Sequence, residues 1–253
     1  MKAKYVHEEA VHNLEAPQAL VPTVIELLDP RSVVDVGCGT GTFLKVFKDC
    51  GVSAVLGIDG PWGNEQLRKK HLDPTDFKEC DLEHVVHFDQ RFDLAVCLEV
   101  AEHLSPSAAE NIVETLTNAS DTVWFSAAVP FQGGQNHINE QPLSYWVKLF
   151  EARGYVLSDV LRPIWWNQGA SFVWYRQNSV LFFRGSPRFV NQPTSPPIVD
   201  VIHPELFRFY ASLPQGAFFG YGPTVYEVKM SIKKLLGPAI YNLIPFPKRN
   251  SNI

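Results

Sequence analysis

Short apolar, β-branched runs alternate with amphipathic segments between residue 32 and about residue 154 of the chain. The runs have the length of buried strands, and the segments between them carry apolar residues at the spacing of helices. This alternation predicts an α/β fold, with a doubly wound and mainly parallel sheet. The predicted strands are 32–36, 53–59, 77–80, 92–98 and 122–128, and the predicted helices are 17–28, 43–50, 64–70, 107–118 and 142–153.

Two further β segments follow the last of these helices without room for another helix between them. They are YVLSDVL (155–161) and SFVWYRQNSVLFF (171–183), and we interpret them as an antiparallel pair that completes a seven-stranded sheet. A proline-rich, polar stretch at 186–197 then predicts a linker. The expected organisation is a domain over 1–186, followed by a linker and helical C-terminal extension over 187–253.

Composition and charge limit the classes of protein that the chain can represent. Of its 253 residues, 45% are hydrophobic and 19% are charged, which excludes a largely disordered protein. The net charge of −5 excludes a globally basic nucleic-acid binder, although a local basic patch stays open. The chain has no apolar signal segment and no membrane-spanning stretch, so we expect a soluble cytoplasmic protein. No CxxC pair indicates a structural zinc site or a disulfide framework, and the scatter of the four cysteines through apolar segments favours reduced thiols at Cys38, Cys50, Cys80 and Cys97.

A glycine-rich turn follows the first predicted strand, which ends at Val36. Gly37, Gly39 and Gly41 let the backbone bend sharply and approach a ligand, and the next helix offers free N–H groups at its start. A dinucleotide fingerprint reads G-x-G-x-x-G, whereas the spacing here is G-x-G-x-G, with Asp35 inside the end of the strand. A carboxylate is unfavourable beside a pyrophosphate, but it suits a ligand that carries an ammonium and a sulfonium group.

Acidic residues also follow the next two predicted strands. Asp59 ends the second strand, where a carboxylate can accept hydrogen bonds from both ribose hydroxyls, and Asp81 can accept one from an adenine amine. Acidic groups at three consecutive strand ends describe S-adenosyl-L-methionine (SAM) better than NAD. The alternatives are turn or cap roles for the two aspartates, and tight helix–strand packing for the glycines.

Four motifs occur in order along the chain: VVDVGCGTGTF, VLGID, CDL and FDLAVCLEVAEHL. They resemble the ordered motifs of class I SAM-dependent methyltransferases, over about residues 20–185. The resemblance implies a Rossmann-like fold and SAM as the cofactor. The cofactor-binding residues that it implies are Asp35, Gly37, Cys38, Gly39, Gly41, Asp59, Gly60, Asp81, Leu82 and Leu98.

Two carboxylates and an imidazole follow the fourth predicted strand. If a helical turn starts at Glu99, then Glu102 and His103 share its face. They would either ligate Mg²⁺ or another divalent metal that binds the acceptor hydroxyls, or form an acid/base cluster without metal. A third interpretation is that they only brace the loop. A similar E-x-x-E-H stretch is a metal site in small-RNA 2′-O-methyltransferases and ubiquinone-pathway O-methyltransferases, and it also resembles family members without metal.

A second candidate lies in the segment GGQNHINEQPLSYW (133–146), which follows the fifth predicted strand. His137 has the pKa range of a base at neutral pH. In the metal interpretation it completes a set with Glu99, Glu102 and His103; otherwise it is a loop histidine bonded to backbone. Asn139 is a candidate cap for the next helix. The predicted catalytic residues are His137, His103 and Glu102.

Aromatic and basic segments in the last third of the chain suggest further contacts. Trp165 and Trp166 are pocket candidates because PIWWNQG (163–169) has the composition of a loop. The basic tail (226–250) is a solvated face, a contact with an anionic membrane surface, or a guide for an anionic acceptor. Its apolar stretch AIYNLIPF (239–246) favours packing on the main domain or on a second subunit in a homodimer.

The function that these patterns favour is O-methylation of a sugar or glycan hydroxyl, in polysaccharide biosynthesis. Both QGGQNHINEQ and WYRQN are similar to segments of methyltransferases encoded with bacterial glycan genes. The alternatives are O-methylation of a small phenolic or polyketide metabolite, a SAM-binding scaffold without catalysis, and an NAD-dependent oxidoreductase. The net charge disfavours RNA as the acceptor.

Overall fold

The computed structural model describes residues 12–61, 65–169, 171–185 and 199–211. The helices are α1 (Glu15–Leu28), α2 (Thr42–Asp49), α3 (Glu65–Arg68), α4 (Ala109–Ala119), α5 (Leu143–Glu151), α6 (Leu161–Trp165), α7 (Val173–Asn178) and α8 (Pro204–Ala211). The strands are β1 (Ser32–Val36), β2 (Ala54–Asp59), β3 (Phe77–Glu79), β4 (Leu94–Leu98), β5 (Thr122–Ser126), β6 (Tyr155–Ser158) and β7 (Val180–Arg184).

The seven strands form one sheet in the order β3-β2-β1-β4-β5-β7-β6. Strands β1 to β5 run parallel to one another, whereas β7 pairs antiparallel with both β5 and β6. The chain order reverses between β1 and β4, and the crevice at such a switch point is where open α/β sheets bind ligands. The predicted α/β fold, with its mainly parallel seven-stranded sheet, is confirmed.

The sheet is buried on both faces, so its central strands read as nearly continuous apolar runs. Alternate residues of β1 point to opposite layers: Val33 packs with α1, α2 and α6, whereas Val34 packs with α4 and α5. Strand β4 repeats the pattern, with Leu94 in the first layer and Ala95 in the second. This two-layer core fixes the register of the strands and therefore the position of the loops at their carboxyl ends.

Two predictions for the segment after β6 were wrong. The stretch 171–179 was predicted as part of a strand, but residues 173–178 form α7 and β7 begins at Val180. The predicted loop at 163–169 begins inside α6, whose Leu161 and Trp165 are four residues apart and bury the same face. Pro163 lies in the first turn of α6, where no backbone N–H is needed, so its presence does not break the helix.

Trp165 is fully buried, and its ring centroid lies 5.7 Å from that of Trp124. Its indole N–H donates to Thr23 Oγ1 on α1 at 3.3 Å. It is a core residue, so its prediction as a pocket residue was wrong. Trp166 is only partly buried at the end of α6, and its pocket role stays a prediction.

The chain divides into two compact units, 1–201 and 202–253, and α8 belongs to the second. The predicted boundary at residue 186, the predicted linker (186–197) and the basic tail lie outside the described residues. Within the part of the chain that the structure describes, no helix is long and apolar enough to cross a bilayer. The four cysteines are free thiols, as expected.

Candidate active site

The glycine turn lies at the carboxyl end of β1, beside the switch point of the sheet. Gly37, Gly39 and Gly41 have φ values of +85°, +54° and +80°, in the left-handed region that favours glycine. A Cβ on Gly37 would also lie 2.5 Å from the side chain of Val100, and one on Gly41 would lie 2.5 Å from Leu72. The turn and the packing therefore both require glycine at residues 37 and 41.

Asp59 braces this turn from the end of the neighbouring strand β2. Its two carboxylate oxygens accept hydrogen bonds from the backbone N–H groups of Gly39 and Gly60, both at 2.6 Å. Burial raises the pKa of Asp59, and these two hydrogen bonds oppose the rise. Each carboxylate oxygen has a second lone pair, so the predicted contact with ribose hydroxyls is compatible with these bonds.

Asp35 lies in β1 next to the same turn and is almost fully buried. Burial, followed by the charge of Asp59, raises the pKa of Asp35 to about 8. A positively charged ligand beside this pair would lower that pKa and be attracted to the ionised carboxylate. Cys38 is buried beside them, and burial raises its thiol pKa well above the ordinary value, so the thiol is unreactive in the protein as described.

The other predicted cofactor contacts lie at the same edge. Asp81 follows β3, and its Oδ1 accepts the backbone N–H of Glu83 at 3.1 Å, as in an Asx turn. The turn role that the sequence left open for Asp81 is therefore present, and its contact with adenine stays a prediction. Leu82 and Leu98 are buried, after β3 and at the end of β4 respectively.

Glu99 does not start the helical turn that the sequence suggested. It adopts a left-handed conformation with φ +54°, and its backbone N–H donates to the carbonyl oxygen and the Oγ of Ser126. The carboxylate of Glu99 accepts hydrogen bonds from Gln132 Nε2 at 2.8 Å and from Asn178 Nδ2 at 3.1 Å. The short 3₁₀ turn after it spans only Ala101–His103. Glu99 therefore does not share a helical face with Glu102 and His103, and two side-chain amides donate hydrogen bonds to its carboxylate instead.

Three of the four predicted ligand residues do come together. One ligand atom each of Glu102, His103 and His137 lies within 4.8 Å of the others, and this group does not include Glu99. The rings of His103 and His137 meet edge to face, with their centroids 4.8 Å apart. The structure therefore supports a convergent carboxylate and two imidazoles, but not the full predicted set of four.

Glu102 is fully buried, and among the described residues neither of its carboxylate oxygens has a hydrogen-bond partner. Burial, and then the charge of Glu99, raise the pKa of Glu102 well above its ordinary value, and the backbone amides of Glu102 and Ala128 oppose this rise. Burial and the charge of His137 lower the pKa of His103 to about 4, so His103 is neutral at pH 7. A buried carboxyl group without partners is costly, and a bound ligand or cation would relieve that cost.

The loop that carries His137 is tied to the segment that carries Glu102. The carbonyl oxygen of Glu102 accepts the backbone N–H groups of Ile138 and Asn139, at 2.9 and 3.0 Å. The Nδ1 atom of His137 lies 2.8 Å from Oε1 of Glu140, so the ring is bonded to a carboxylate. Asn139 does not cap the next helix, because the N-cap position of α5 is Pro142.

Sequence reasoning missed two residues of the site, Gln132 and Asn178. The two amides hold the Glu99 carboxylate, and Asn178 also donates to Gln132 Oε1 at 2.9 Å. Asn178 comes from the end of α7, which leads into the antiparallel strand β7 and so lies at the same edge as the end of β5. Residue spacing carried no signal for this contact, because the two residues are 46 positions apart.

The glycine turn after β1, the acidic residues at the ends of the first strands and the polar groups after β4 and β5 all lie at one edge of the sheet. Residues 5–123, slightly less than half of the chain, match the family described as "Methyltransferase domain". This part of the chain therefore matches a methyltransferase domain, and the sheet has the Rossmann-like α/β fold of class I SAM-dependent methyltransferases.

Two curated relatives are both named "Ubiquinone biosynthesis O-methyltransferase". The protein from Methylobacterium sp. (strain 4-46) is 34% identical over 88 residues, which are 33% of this chain and 35% of the relative. The protein from Methylobacterium nodulans (strain LMG 21967 / CNCM I-2342 / ORS 2060) is 31% identical over 81 residues, or 30% of this chain and 32% of the relative. The match thus covers about a third of the length of these relatives.

Two solved structures share the fold. One is magnesium protoporphyrin IX methyltransferase (ChlM) from Synechocystis PCC 6803 with bound SAH, with a TM-score of 0.50, 17% identity, and coverage of 67% of this chain and 83% of that chain. The other is SAM-bound CalS10, an amino pentose methyltransferase from Micromonospora echinaspora involved in calicheamicin biosynthesis. Its TM-score is 0.51 with 13% identity, over 67% of this chain and 90% of that chain.

Proposed function

We propose that the protein transfers a methyl group from SAM to a hydroxyl group of its acceptor. The observation that carries this proposal is the convergence of Glu102, His103 and His137 at the sheet edge where the glycine turn and Asp59 lie. The names of the two curated relatives, both O-methyltransferases, support a hydroxyl acceptor. The SAM and SAH in the two structural neighbours support the donor.

The glycine turn and its acidic neighbours would bind the donor. The backbone of Gly37, Gly39 and Gly41 would approach it closely, Asp59 would accept from the ribose hydroxyls, and Asp35 would attract its positive charge. SAM supplies an electrophilic methyl carbon and leaves as S-adenosylhomocysteine. The other residues that we propose on this side are Cys38, Gly60, Asp81, Leu82 and Leu98.

The cluster after β4 and β5 would handle the acceptor. A hydroxyl oxygen placed behind the methyl group forms the new C–O bond while the C–S bond breaks, and the hydroxyl proton must leave. His137 is bonded to Glu140 through Nδ1, so its Nε2 is the atom that takes this proton. Glu102 and the neutral His103 would orient the hydroxyl, because a buried carboxyl group and an imidazole both form hydrogen bonds with it.

A divalent cation fits the same three side chains. The buried carboxylate of Glu102 has no hydrogen-bond partner among the described residues, and one ring nitrogen of each of two imidazoles lies within 4.8 Å of one of its oxygens. Such a cation supplies Lewis acidity that lowers the pKa of an acceptor hydroxyl. A set with two imidazoles suits a transition metal better than Mg²⁺, since magnesium prefers oxygen ligands.

Removal of metal separates the two forms of this proposal. If a cation is part of the site, treatment with EDTA should lower methyl transfer by ~10- to 100-fold, and Mn²⁺ or Mg²⁺ should restore it. Calorimetric titration of the chelated protein with Mn²⁺ should also show binding that Glu102→Gln removes. Activity that is unchanged by chelation, together with no heat of binding, would leave the acid/base cluster as the mechanism.

For the acceptor, we propose a sugar or glycan hydroxyl, which would place the protein in polysaccharide biosynthesis. Nδ2 of Asn139, on the loop that carries His137, is buried without a partner among the described residues, and it suits a hydroxyl of a polyhydroxylated ligand. A small phenol is the second candidate. The names of the curated relatives favour it, and so do the exposed Phe131 and Ile138 on the loop of His137.

A transfer assay tests the function and separates these acceptors. The purified chain is incubated with SAM labelled in the methyl group and with two panels, one of sugars and oligosaccharides and one of catechols and other phenols. We expect labelled product from one panel and one equivalent of S-adenosylhomocysteine for each methyl group transferred. SAM binding without transfer to any acceptor would instead favour the scaffold interpretation.

The wider setting follows from the sequence. We propose a cytoplasmic enzyme with its catalytic domain over 1–186 and an extension over 187–253. The basic tail would either contact an anionic membrane surface or pack against a second copy in a homodimer.

A further inference from the structure

We propose that Glu140 is the positioning residue of His137, and that it fixes the ring tautomer in which Nδ1 carries the proton and Nε2 keeps its lone pair. The catalytic role of this tautomer rests on the proposed function, whereas the contact between Glu140 and His137 is a feature of the structure itself. The Oε1 atom of Glu140 lies 2.8 Å from Nδ1 of His137, and the two side chains are 18% and 11% exposed.

The orientation of this carboxylate is fixed by the backbone of the same loop. Its Oε1 accepts the N–H of Gly133 at 2.6 Å, and its Oε2 accepts the N–H of Phe131 at 2.8 Å. Both oxygens therefore act as hydrogen-bond acceptors toward groups that can only donate. When ionised, a carboxylate held in this way accepts from the imidazole and has no proton to donate to it.

The tautomer of His137 follows from this arrangement. Because the carboxylate accepts, Nδ1 of the neutral ring must carry the proton, which leaves Nε2 unprotonated. The base proposed above needs a lone pair on Nε2, and so does the metal ligand. A histidine that reacts through one nitrogen is commonly fixed by a carboxylate at the other.

Gly134 completes the position of the ring. A Cβ at residue 134 would lie 2.2 Å from Nε2 of His137 and 2.4 Å from Cε1, so the ring packs directly on the glycine. The ring is thus held by the Glu140 carboxylate at Nδ1 and limited by backbone on its other side. Only a residue without a side chain fits at 134 while the ring keeps this position.

The tautomer can be measured without SAM, acceptor or metal. The full-length protein, with ¹⁵N-labelled histidine and EDTA, is studied by NMR at about pH 8, where an ordinary histidine is neutral. The signals of His137 are assigned by their loss in His137→Gln. In the wild type we expect a protonated Nδ1 and an unprotonated Nε2. Glu140→Leu should lose this preference, whereas Glu140→Gln should retain it, because the amide oxygen still accepts from Nδ1.

Kinetics supply the second readout. In Glu140→Leu we expect kcat to fall by ~10- to 100-fold with the KM for SAM unchanged, and in Glu140→Gln a smaller fall. Glu151→Gln, at an exposed position of α5, is the matched control and should resemble the wild type. A wild-type ring protonated at Nε2 would overturn the proposal, as would a Glu140→Leu protein that keeps the wild-type tautomer. Because the NMR measurement needs no turnover, it distinguishes this failure from a failure of the proposed methyl transfer.

Discussion

His137→Ala is expected to lower the kcat of methyl transfer by ~10²- to 10⁴-fold, the range for loss of a positioned general base. The reason is that His137 converges with Glu102 and His103, while the contact of its Nδ1 with Glu140 leaves Nε2 as the nitrogen that can take a proton. Binding of SAM should be unchanged, because the donor residues lie on the turn after β1 and at the ends of β2 and β3. Single-turnover assays and calorimetry with SAM provide the two measurements.

His87→Ala is the matched control for this variant, since His87 is exposed and lies on a different segment. It should keep the turnover and the SAM affinity of the wild type. If His137→Ala retains near-wild-type turnover with normal SAM binding, then neither the base role nor the ligand role of His137 is correct.

Asp59→Ala is expected to weaken SAM binding by ~150-fold, or about 3 kcal/mol, if its carboxylate accepts from the donor as well as from the turn. Two effects add up. The ribose hydroxyls lose their acceptor, and the backbone N–H groups of Gly39 and Gly60 lose the partner that holds them at 2.6 Å. Calorimetry of SAM binding measures the change.

Asp59→Asn should cause only part of this loss of affinity, because its amide oxygen replaces one of the two carboxylate acceptors and its NH₂ group cannot replace the other. Its affinity should lie between those of the wild type and Asp59→Ala. Asp89→Ala, at an exposed loop position, serves as the control and should bind SAM normally. An Asp59→Ala protein with wild-type affinity would show that Asp59 serves the turn alone.

The parallel half of the fold was predictable because its signals are local. Strand β1 spans 32–36 as predicted, since a short apolar run that ends at a glycine turn is too short for a buried helix and fits a buried strand. The helices α1, α2, α4 and α5 were found from apolar spacing, with small shifts at their ends. The segment 161–179 was not predicted correctly, because it is rich in aromatic residues that suit either a strand or a helix. Its packing against Trp124 and Glu99, which are distant in sequence, decides the outcome.

The candidate site was partly predictable for the same reason. The glycines and the three aspartates lie within or just after the carboxyl ends of strands, so the parallel topology alone brings them to one edge. The grouping of Glu102, His103 and His137 was anticipated, but the exclusion of Glu99 was not. That exclusion depends on the left-handed backbone at Glu99 and on two amides from elsewhere in the chain, which residue spacing does not reveal.

The most direct test of the account is calorimetric titration of the full-length protein with SAM, S-adenosylhomocysteine and NAD⁺ in parallel. The acidic edge formed by Asp35 and Asp59 predicts that SAM and S-adenosylhomocysteine bind at the same site and that NAD⁺ gives no heat of binding. Binding of NAD⁺ with no binding of either adenosyl ligand would contradict the proposed donor and, with it, the role assigned to His137.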